Sequence, residues 1–345
     1  MPQLGEFDII ERFFVRRGDD ASVRVGIGDD AAVVTAGPAV AVAVDMLVAG
    51  RHFPDSMPAD AIGHRALAVN LSDLAACGAR PRWATLALSL PEADEDWLAS
   101  FAKGFFRLAE QNGVALIGGD TTRGPLTVTV QLIGDAPERP LLRSGGRAGD
   151  AVFVSGNLGD AAAALAQIGG STAASGGRPQ RYRNTPAEAD GGSNGSADEG
   201  SADNALVDAL IAHFYYPEPR VALGVALNGL ATAAIDVSDG LLADLGHLCR
   251  QSSCGAEIDL AALPLSGSLR ALYAEDDARA FALEGGDDYE LCFTVPADQR
   301  EAVVAAAADA QTPISEIGRL TEGGALTGRD RGQSVPLETR GFTHF

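Results

Sequence analysis

The run Val40-Ala41-Val42-Ala43-Val44-Asp45 decides how this chain is read. Five small or β-branched apolar residues in succession suit a strand, and a carboxylate ends the run. Residues 39–44 are therefore read as a buried strand. A helix follows over 61–76, where Ile62, Ala66, Val69, Asp73 and Cys77 recur at helical spacing. Residues 85–90 read as a strand. Residues 94–112 read as an amphipathic helix, with Trp97, Phe101, Phe105 and Leu108 on one core-facing stripe and Gly113 as its stop. Residues 115–117 and 126–133 are strands, the second alternating Thr with Val. The expected order is strand-helix-strand-strand-helix-strand, a ferredoxin-like unit built on a split βαβ.

A second unit starts at Gly149-Asp150-Ala151-Val152-Phe153-Val154-Ser155-Gly156, and Gly156-Asn157-Leu158-Gly159-Asp160 opens an alanine-rich helix. The domain boundary falls at 145–150, giving domains of 1–147 and 148–345. Helices are expected at 205–213, 220–228 and 240–250, and strands at 233–235, 257–260 and 290–295. A sheet with helices on one side follows, so the fold class is α+β in two domains. Residues 169–204 contain no Val, Leu, Ile, Phe, Met or Trp. Such a stretch buries too little to offset its ordering entropy and is expected to be a disordered insertion, with Arg178, Arg181 and Arg183 solvated.

The chain has 345 residues, a 46% hydrophobic composition and a formal net charge of −21. So acidic a protein is no partner for nucleic acid or an anionic membrane. No run reaches the ~18–20 apolar residues of a membrane span, and residues 1–10 do not read as a signal peptide. Cys77, Cys249, Cys254 and Cys292 lack CxxC spacing and read as reduced thiols, which points to the cytoplasm.

Acidic residues recur where apolar runs meet Gly-rich turns: Asp29 and Asp30, Asp45, Asp73, Asp120 in Ile117-Gly118-Gly119-Asp120, Asp236 and Asp239 in Asp236-Val237-Ser238-Asp239-Gly240, and Asp287-Asp288 after Gly285-Gly286. Oxygen ligands without a His or Cys cluster suit Mg²⁺, which usually works bound to phosphates. One such Asp is an ordinary turn or helix cap; Asp30, Asp45, Asp73 and Asp120 within one half of the chain suggest a shared metal site. The loop at Gly118–Gly124 offers N–H groups and hydroxyls to an anion, and the helix that begins at Gly240 adds N–H donors for phosphate. There is no GxxxxGK[ST] motif and no HRD or DFG set, so neither a P-loop enzyme nor a protein kinase is expected.

Taken together, the strings resemble the bacterial thiamine-monophosphate kinases. They are Gly5-Glu6-Phe7, Gly26-Ile27-Gly28-Asp29-Asp30-Ala31, Asp45-Met46-Leu47-Val48-Ala49-Gly50-Arg51-His52-Phe53, Ala68-Val69-Asn70-Leu71-Ser72-Asp73-Leu74-Ala75-Ala76, Ile117-Gly118-Gly119-Asp120-Thr121-Thr122-Arg123-Gly124, Ile235-Asp236-Val237-Ser238-Asp239-Gly240-Leu241, Gly285-Gly286-Asp287-Asp288-Tyr289-Glu290-Leu291 and Gly341-Phe342. The resemblance implies the fold of the aminoimidazole-ribonucleotide synthetase-like proteins: an N-terminal ATP- and metal-binding domain that pairs across a homodimer, and a C-terminal α+β domain. It implies in-line transfer from ATP to thiamine monophosphate with several Mg²⁺ ions and no covalent intermediate. Asp30, Asp45, Asp73, Asp120, Asp236 and Asp239 look like metal ligands, with Asp73 bridging. Gly119, Asp120, Arg143 and Ser238 look like ATP contacts. His52, Asp287 and Phe342 look like the thiamine-phosphate side, Phe342 stacking on a ring and Asp287 facing the thiazolium.

Two positions depart from the family pattern. Ala43 and Val44 stand where hydroxyl residues are usual, leaving only a backbone carbonyl to ligate, and Asp287 stands where Glu is common. The alternatives are a sister enzyme of the same superfamily, a metal-dependent phosphatase and a non-catalytic nucleotide sensor. The chain has no Cys before Cys77 and ends His344-Phe345, unlike the sister enzymes with a reactive Cys near either terminus.

Overall fold

The computed structural model describes residues 5–16, 20–29, 31–170 and 199–337. The chain opens with α1 (Glu6–Ile9), a π turn over Ile10–Phe14, and a small antiparallel ribbon of β1 (Val23–Val25) and β2 (Val33–Val34). The N-terminal domain then runs β3 (Val40–Val48), α2 (Ala59–Ala76), β4 (Arg80–Leu90), α3 (Glu95–Gln111), β5 (Ala115–Arg123) and β6 (Thr127–Asp135). Its sheet order is β3-β6-β4-β5; β4 and β5 are parallel, and β6 is antiparallel to both β3 and β4. The split βαβ is present, because β6 inserts between the strands that α2 joins. The chain order is β-α-β-α-β-β, as the elements read one by one from the sequence already run, and not the β-α-β-β-α-β of the ferredoxin-like unit they were assigned to. The strand begun at Ala115 runs on through the Gly-Gly-Asp segment to Arg123 and turns straight into β6.

Side-chain alternation sets the layers. Val128, Val130 and Leu132 of β6 are fully buried under α2 and α3, beside Phe101 and Phe105. In β3, Ala41, Ala43, Asp45 and Leu47 share the face that looks to α2. The opposite face carries Val40, Val42, Val44 and Met46, which are 44%, 54%, 59% and 55% exposed. The strand expected to be buried therefore presents one apolar face to solvent.

The C-terminal domain comprises β7 (Ala151–Ser155), α4 (Asp160–Gly170), α5 (Glu199–Tyr215), α6 (Val221–Ala226), β8 (Ala233–Val237), α7 (Leu241–Ser252), β9 (Gly255–Asp259), α8 (Gly267–Leu272), α9 (Glu275–Glu284), β10 (Glu290–Val295), α10 (Arg300–Asp309), β11 (Ile314–Thr321), β12 (Leu326–Asp330) and β13 (Gln333–Pro336). Its seven strands lie in the order β13-β12-β9-β11-β7-β10-β8, antiparallel except for β12 beside β9. Val152, Val154, Ile235 and Cys292 pack with side chains of α4, α5, α7, α8 and α9. Phe153, Ala234, Leu291, Phe293 and Val295 pack on the other side with Leu223 of α6, Val303 of α10, and Ala75 and Ala76 of α2. Helices on one side were expected, and the structure has both faces covered. The reason lies in β7, β8 and β10, whose every residue is buried, as a doubly covered strand requires.

Helix α2 belongs to both domains. Leu67, Leu71 and Leu74 join the N-terminal core, and Ala75 and Ala76 join the C-terminal one. A helix apolar all round is one enclosed on all sides. Of its eighteen residues only Ala59 and Asp60 in the first turn and Asp73 are not buried, so Asp73 marks the one opening along the helix body.

Candidate active site

Three carboxylates meet where the domains join. Asp73 comes from α2, Asp45 from the α2-facing side of β3, and Asp236 from β8 on the same sheet face as Ala234. Ser72, beside Asp73, donates its hydroxyl to Asp236 Oδ2 at 2.9 Å. Burial, then the charges of Asp236 and Asp45, push Asp73 up to about 8, against which Arg143 pulls it down. Asp236 is pushed up to about 6, chiefly by burial, and burial also raises Asp45, which is hydrogen-bonded to Asp73. The cluster thus holds more negative charge than Arg143 offsets, and a divalent cation fits that deficit. Among the described residues no three His, Cys, Asp or Glu side chains form a ready cage. Mg²⁺ characteristically takes one or two carboxylates and fills its sphere with phosphate oxygens and water.

The loop after β8 builds the next wall. Asp236, Ser238 and Asp239 sit within five residues, and Gly240, at φ 115°, turns the chain into α7. A Cβ at Gly240 would approach the Glu284 carbonyl oxygen to 2.9 Å, so the turn needs glycine. The N–H groups here were expected to await a phosphate. Instead Asp244 Oδ2 accepts all three, from Ser238 at 3.0 Å, Asp239 at 3.0 Å and Gly240 at 3.1 Å. The concavity just before α7 is filled by a side chain of the chain itself, so these three N–H groups are not open to a phosphate.

Across from it lies the segment 285–289. The Ser238 carbonyl accepts the Asp287 N–H at 2.8 Å, and the Val237 carbonyl accepts that of Tyr289 at 2.9 Å. Asp287 and Tyr289 hold positive φ values of 71° and 53°, a costly backbone state for residues other than glycine. Asp288 between them anchors the segment: its carboxylate accepts the N–H groups of Gly159 at 2.7 Å and Ala161 at 3.4 Å, at the start of α4. Arg65 of α2, its side chain 1% exposed, forms an ion pair with Asp287 Oδ1. Its guanidinium also donates to the Phe214 carbonyl at 2.7 Å and lies 4.4 Å from the Phe214 ring centroid. The Tyr289 hydroxyl donates to the same Asp287 oxygen at 3.1 Å. Asp287, expected to face a cation in the ligand, is therefore already matched by a cation of the protein. Nearby, Arg220 makes a bidentate pair with buried Glu290, at 2.8 and 2.7 Å.

The structure does not gather every residue singled out from the sequence. Gly119 and Asp120 lie on β5, at the opposite sheet edge from β3. Cross-strand register aligns Met46, Thr129, Ala87 and Asp120, one residue out of step with the row Asp45, Val130, Leu86 and Gly119. Asp120 therefore projects from the face opposite Asp45, about 14 Å away at ordinary strand spacing. Gly119 has φ 151°, and a Cβ there would lie 1.8 Å from the Leu86 carbonyl oxygen, so its conformation is fixed by the sheet. His52 follows β3, and its Nδ1 accepts the Val48 N–H at 3.0 Å, which leaves the ring proton on Nε2. Arg143 is exposed, and its carbonyl accepts from Ser252 at 3.1 Å. Asp30 and Phe342 lie outside the described residues, as do Arg178, Arg181 and Arg183. Sequence reasoning missed Arg65, Ser72 and Asp244. Only Asp244 carried a local signal, an acid four residues beyond a Gly that opens a helix.

Residues 28–136 match the AIR synthase related protein, N-terminal domain, and residues 147–331 match the AIR synthase related protein, C-terminal domain. Thiamine-monophosphate kinase of Escherichia coli is 44% identical over 348 residues, covering 99% of this chain and 98% of that protein. The crystal structure of thiamine-monophosphate kinase from Stenotrophomonas maltophilia superposes with a TM-score of 0.78 at 44% identity, over 92% of this chain and 93% of that one. The structure of AaThiL complexed with AMPPCP and TMP gives 0.71 at 30% identity, over 89% and 87% of the two chains.

Proposed function

We infer that this chain, which belongs to the thiamine-monophosphate kinase family, transfers the γ-phosphoryl group of ATP to thiamine monophosphate, giving thiamine diphosphate and ADP. The bond from the γ-phosphorus to the ADP oxygen breaks as one forms to a phosphate oxygen of thiamine monophosphate. The substrate supplies the nucleophile, so no side chain needs to become phosphorylated.

The observation that carries the site reading is the convergence of Asp45, Asp73 and Asp236 with too little positive charge around them. Asp73 and its neighbours Asp45 and Asp236 would hold Mg²⁺ together with phosphate oxygens and water, with Asp239 and Asp30 as further ligands. When bound, Mg²⁺ neutralises and orients the two polyanions. Arg143 would add a cation for the ATP phosphates, and Ser238 would contact ATP through its hydroxyl, because its N–H is committed to Asp244. His52, Asp287 and Phe342 would line the thiamine-phosphate side. Among the described residues both side-chain bonds of Asp287 land on Oδ1, and Oδ2 would be the oxygen that faces the substrate.

The enzyme would act as a homodimer. The exposed apolar stripe Val40, Val42, Val44 and Met46 on an edge strand supports pairing of N-terminal domains. Pairing would also account for Gly119 and Asp120: set on the far face of the sheet, they reach a nucleotide site only if a second copy meets that face. Four free cysteines support a cytoplasmic setting.

The test is product analysis after incubation with ATP, Mg²⁺ and thiamine monophosphate. Thiamine diphosphate and ADP should appear one to one. Release of inorganic phosphate without thiamine diphosphate, or turnover of thiamine but not of its monophosphate, would overturn the reading.

A further inference from the structure

We propose that Asp244 is a positioning residue, whose buried carboxyl group locks the Asp236–Gly240 loop so that its side chains, and not its N–H groups, face the ligands. The proposal rests on the reading of Asp236, Ser238 and Asp239 given above, and it assigns a role to a residue outside that set.

Successive N–H groups at the start of a twelve-residue helix form a concavity that attracts anions. Here the acceptor comes from one turn further along, inside the helix itself. Asp244 is 3% exposed, and one oxygen, Oδ2, takes the N–H groups of Ser238, Asp239 and Gly240 within 3.1 Å. Three donors on one carboxylate oxygen fix three consecutive peptide planes. The carbonyl side of the loop is fixed as well, since Ser238 and Val237 accept from Asp287 and Tyr289. The loop is thus held from both sides, so a ligand here meets side chains and not the three committed N–H groups. Asp236 is held further by Ser72. A carboxylate filling the concavity also keeps a phosphate from binding at the wrong place, which would draw the nucleotide away from Asp73. The two loops that carry nucleotide and substrate groups then behave as one unit, with Asp244 as its inner clamp.

The test uses the full chain and three readouts on wild type, Asp244→Asn and Asp244→Ala. The first is amide hydrogen exchange without metal or nucleotide. Both variants should exchange at Ser238, Asp239 and Gly240 at least about 10-fold faster than wild type, with α7 beyond Gly246 unchanged. The second is calorimetric binding of a non-hydrolysable ATP analogue across a Mg²⁺ titration. Half-saturating Mg²⁺ should rise several-fold in Asp244→Asn. The third is turnover, where kcat should fall on the order of 10- to 100-fold, the scale of a misplaced reacting group, at little change in KM for thiamine monophosphate. Inorganic phosphate alone should slow exchange at the three amides in Asp244→Ala, where the concavity is vacated, but not in wild type. If Asp244→Ala fails to fold, Asp244→Asn, which keeps the shape, decides the matter. Unchanged exchange with an unchanged Mg²⁺ requirement in folded Asp244→Asn overturns the proposal. A wild-type chain that protects these amides but makes no thiamine diphosphate overturns the assigned reaction and leaves the clamp standing.

Discussion

Arg65 and Asp73 stand on the same helix, two turns apart, and handle buried charge in opposite ways. Arg65 is enclosed, and most of its surroundings answer its charge: Asp287 as counter-ion, the Phe214 carbonyl as acceptor, and the Phe214 and Tyr289 rings beneath it, with only its Nε left without a partner among the described residues. Asp73 has the reverse surroundings. Its neighbours Asp45 and Asp236 repel it, and Arg143 alone acts to lower its pKa. A buried charge whose partners come from the fold maintains the fold. A half-enclosed charge whose neighbours share its sign makes sense only with a ligand in place. The difference separates the part of α2 that joins the domains from the part that works.

The largest effect should come from Asp73. Asp73→Asn keeps the size and removes the charge, and turnover should fall roughly 100-fold or more, the ~3–4 kcal/mol scale of losing a strong electrostatic contributor. The metal-free protein should at the same time become no less stable, because a repulsion has been removed. The pH dependence gives the sign. An acid raised from 3.8 to about 8 in the folded state favours the fold while it is protonated. Metal-free wild type should therefore lose stability as pH rises through that interval, and the variant should lose less. Thermal melting in chelator from pH 5 to 8 checks this; a variant with normal turnover at saturating Mg²⁺ would make Asp73 a mere helix-surface residue.

Arg65 should show the opposite pattern. Arg65→Met fills the space but strands Asp287, and breaking a buried pair by removing one partner typically costs 3–5 kcal/mol. Asp287 keeps 28% of its side chain in solvent, so about 3 kcal/mol is expected, read as a fall in the urea midpoint. Removing Asp287 as well should recover part of that stability. If the double variant is no more stable than Arg65→Met, the ion pair is not the reason Arg65 is buried.

How much of this was legible in the sequence follows the same division. The strand at 290–295 was read whole, those at 40–48 and 80–90 only in part, as 39–44 and 85–90, and the helices at 59–76 and 95–111 as 61–76 and 94–112, because each contributes apolar residues to a core by itself. The carboxylates were legible because Asp beside Gly at the end of an apolar run is poor core. β11, β12 and β13 were not read, since half-exposed strands such as Ile314–Thr321 lack a clean alternation. Nor was the role of Arg65, whose partner lies 222 residues away. The order β-α-β-α-β-β was present in the elements read singly but was assigned to the wrong motif, because nothing within residues 115–135 says where β6 sits in the sheet, between β3 and β4. The faces of Asp45 and Asp120 are set by register across four strands, which no local pattern records.

The exposed face of β3 tests the comparison one level up, between copies. If Val42 and Val44 lack a partner within the chain because a second chain provides it, then Val42→Lys with Val44→Lys should convert a dimer to a monomer in light scattering. The helix-facing side of the strand is untouched, so the fold should persist, with helical circular dichroism unchanged. Turnover should fall with dimer content, as the far-face positions of Gly119 and Asp120 require. A wild type that is monomeric at tens of micromolar, or a monomeric variant with full turnover, would remove the dimer from the mechanism.

The smallest effect should come from the segment between α4 and α5. Of the insertion expected at 169–204, residues 169–170 and 199–204 belong to α4 and α5, and residues 171–198 lie outside the described structure; they contain no Val, Leu, Ile, Phe, Met or Trp. The helices on either side pack into one core through Ala161, Ala164, Leu210 and Phe214, so a short connection has a fixed pair of ends to join. Replacing 171–198 with a Gly/Ser linker should leave turnover within a few-fold and the melting temperature little changed or slightly raised, since closure entropy varies only slowly with length. The opposing idea is that Arg178, Arg181 and Arg183 reach the ATP phosphates and supply the positive charge that the Asp73 cluster lacks. That idea requires a large rise in KM for ATP in the shortened protein, with stability intact and KM for thiamine monophosphate unmoved. Observing it would place a protein cation where a metal is proposed here, and Asp73 would then differ from Arg65 only in how far along the chain its counter-charge lies.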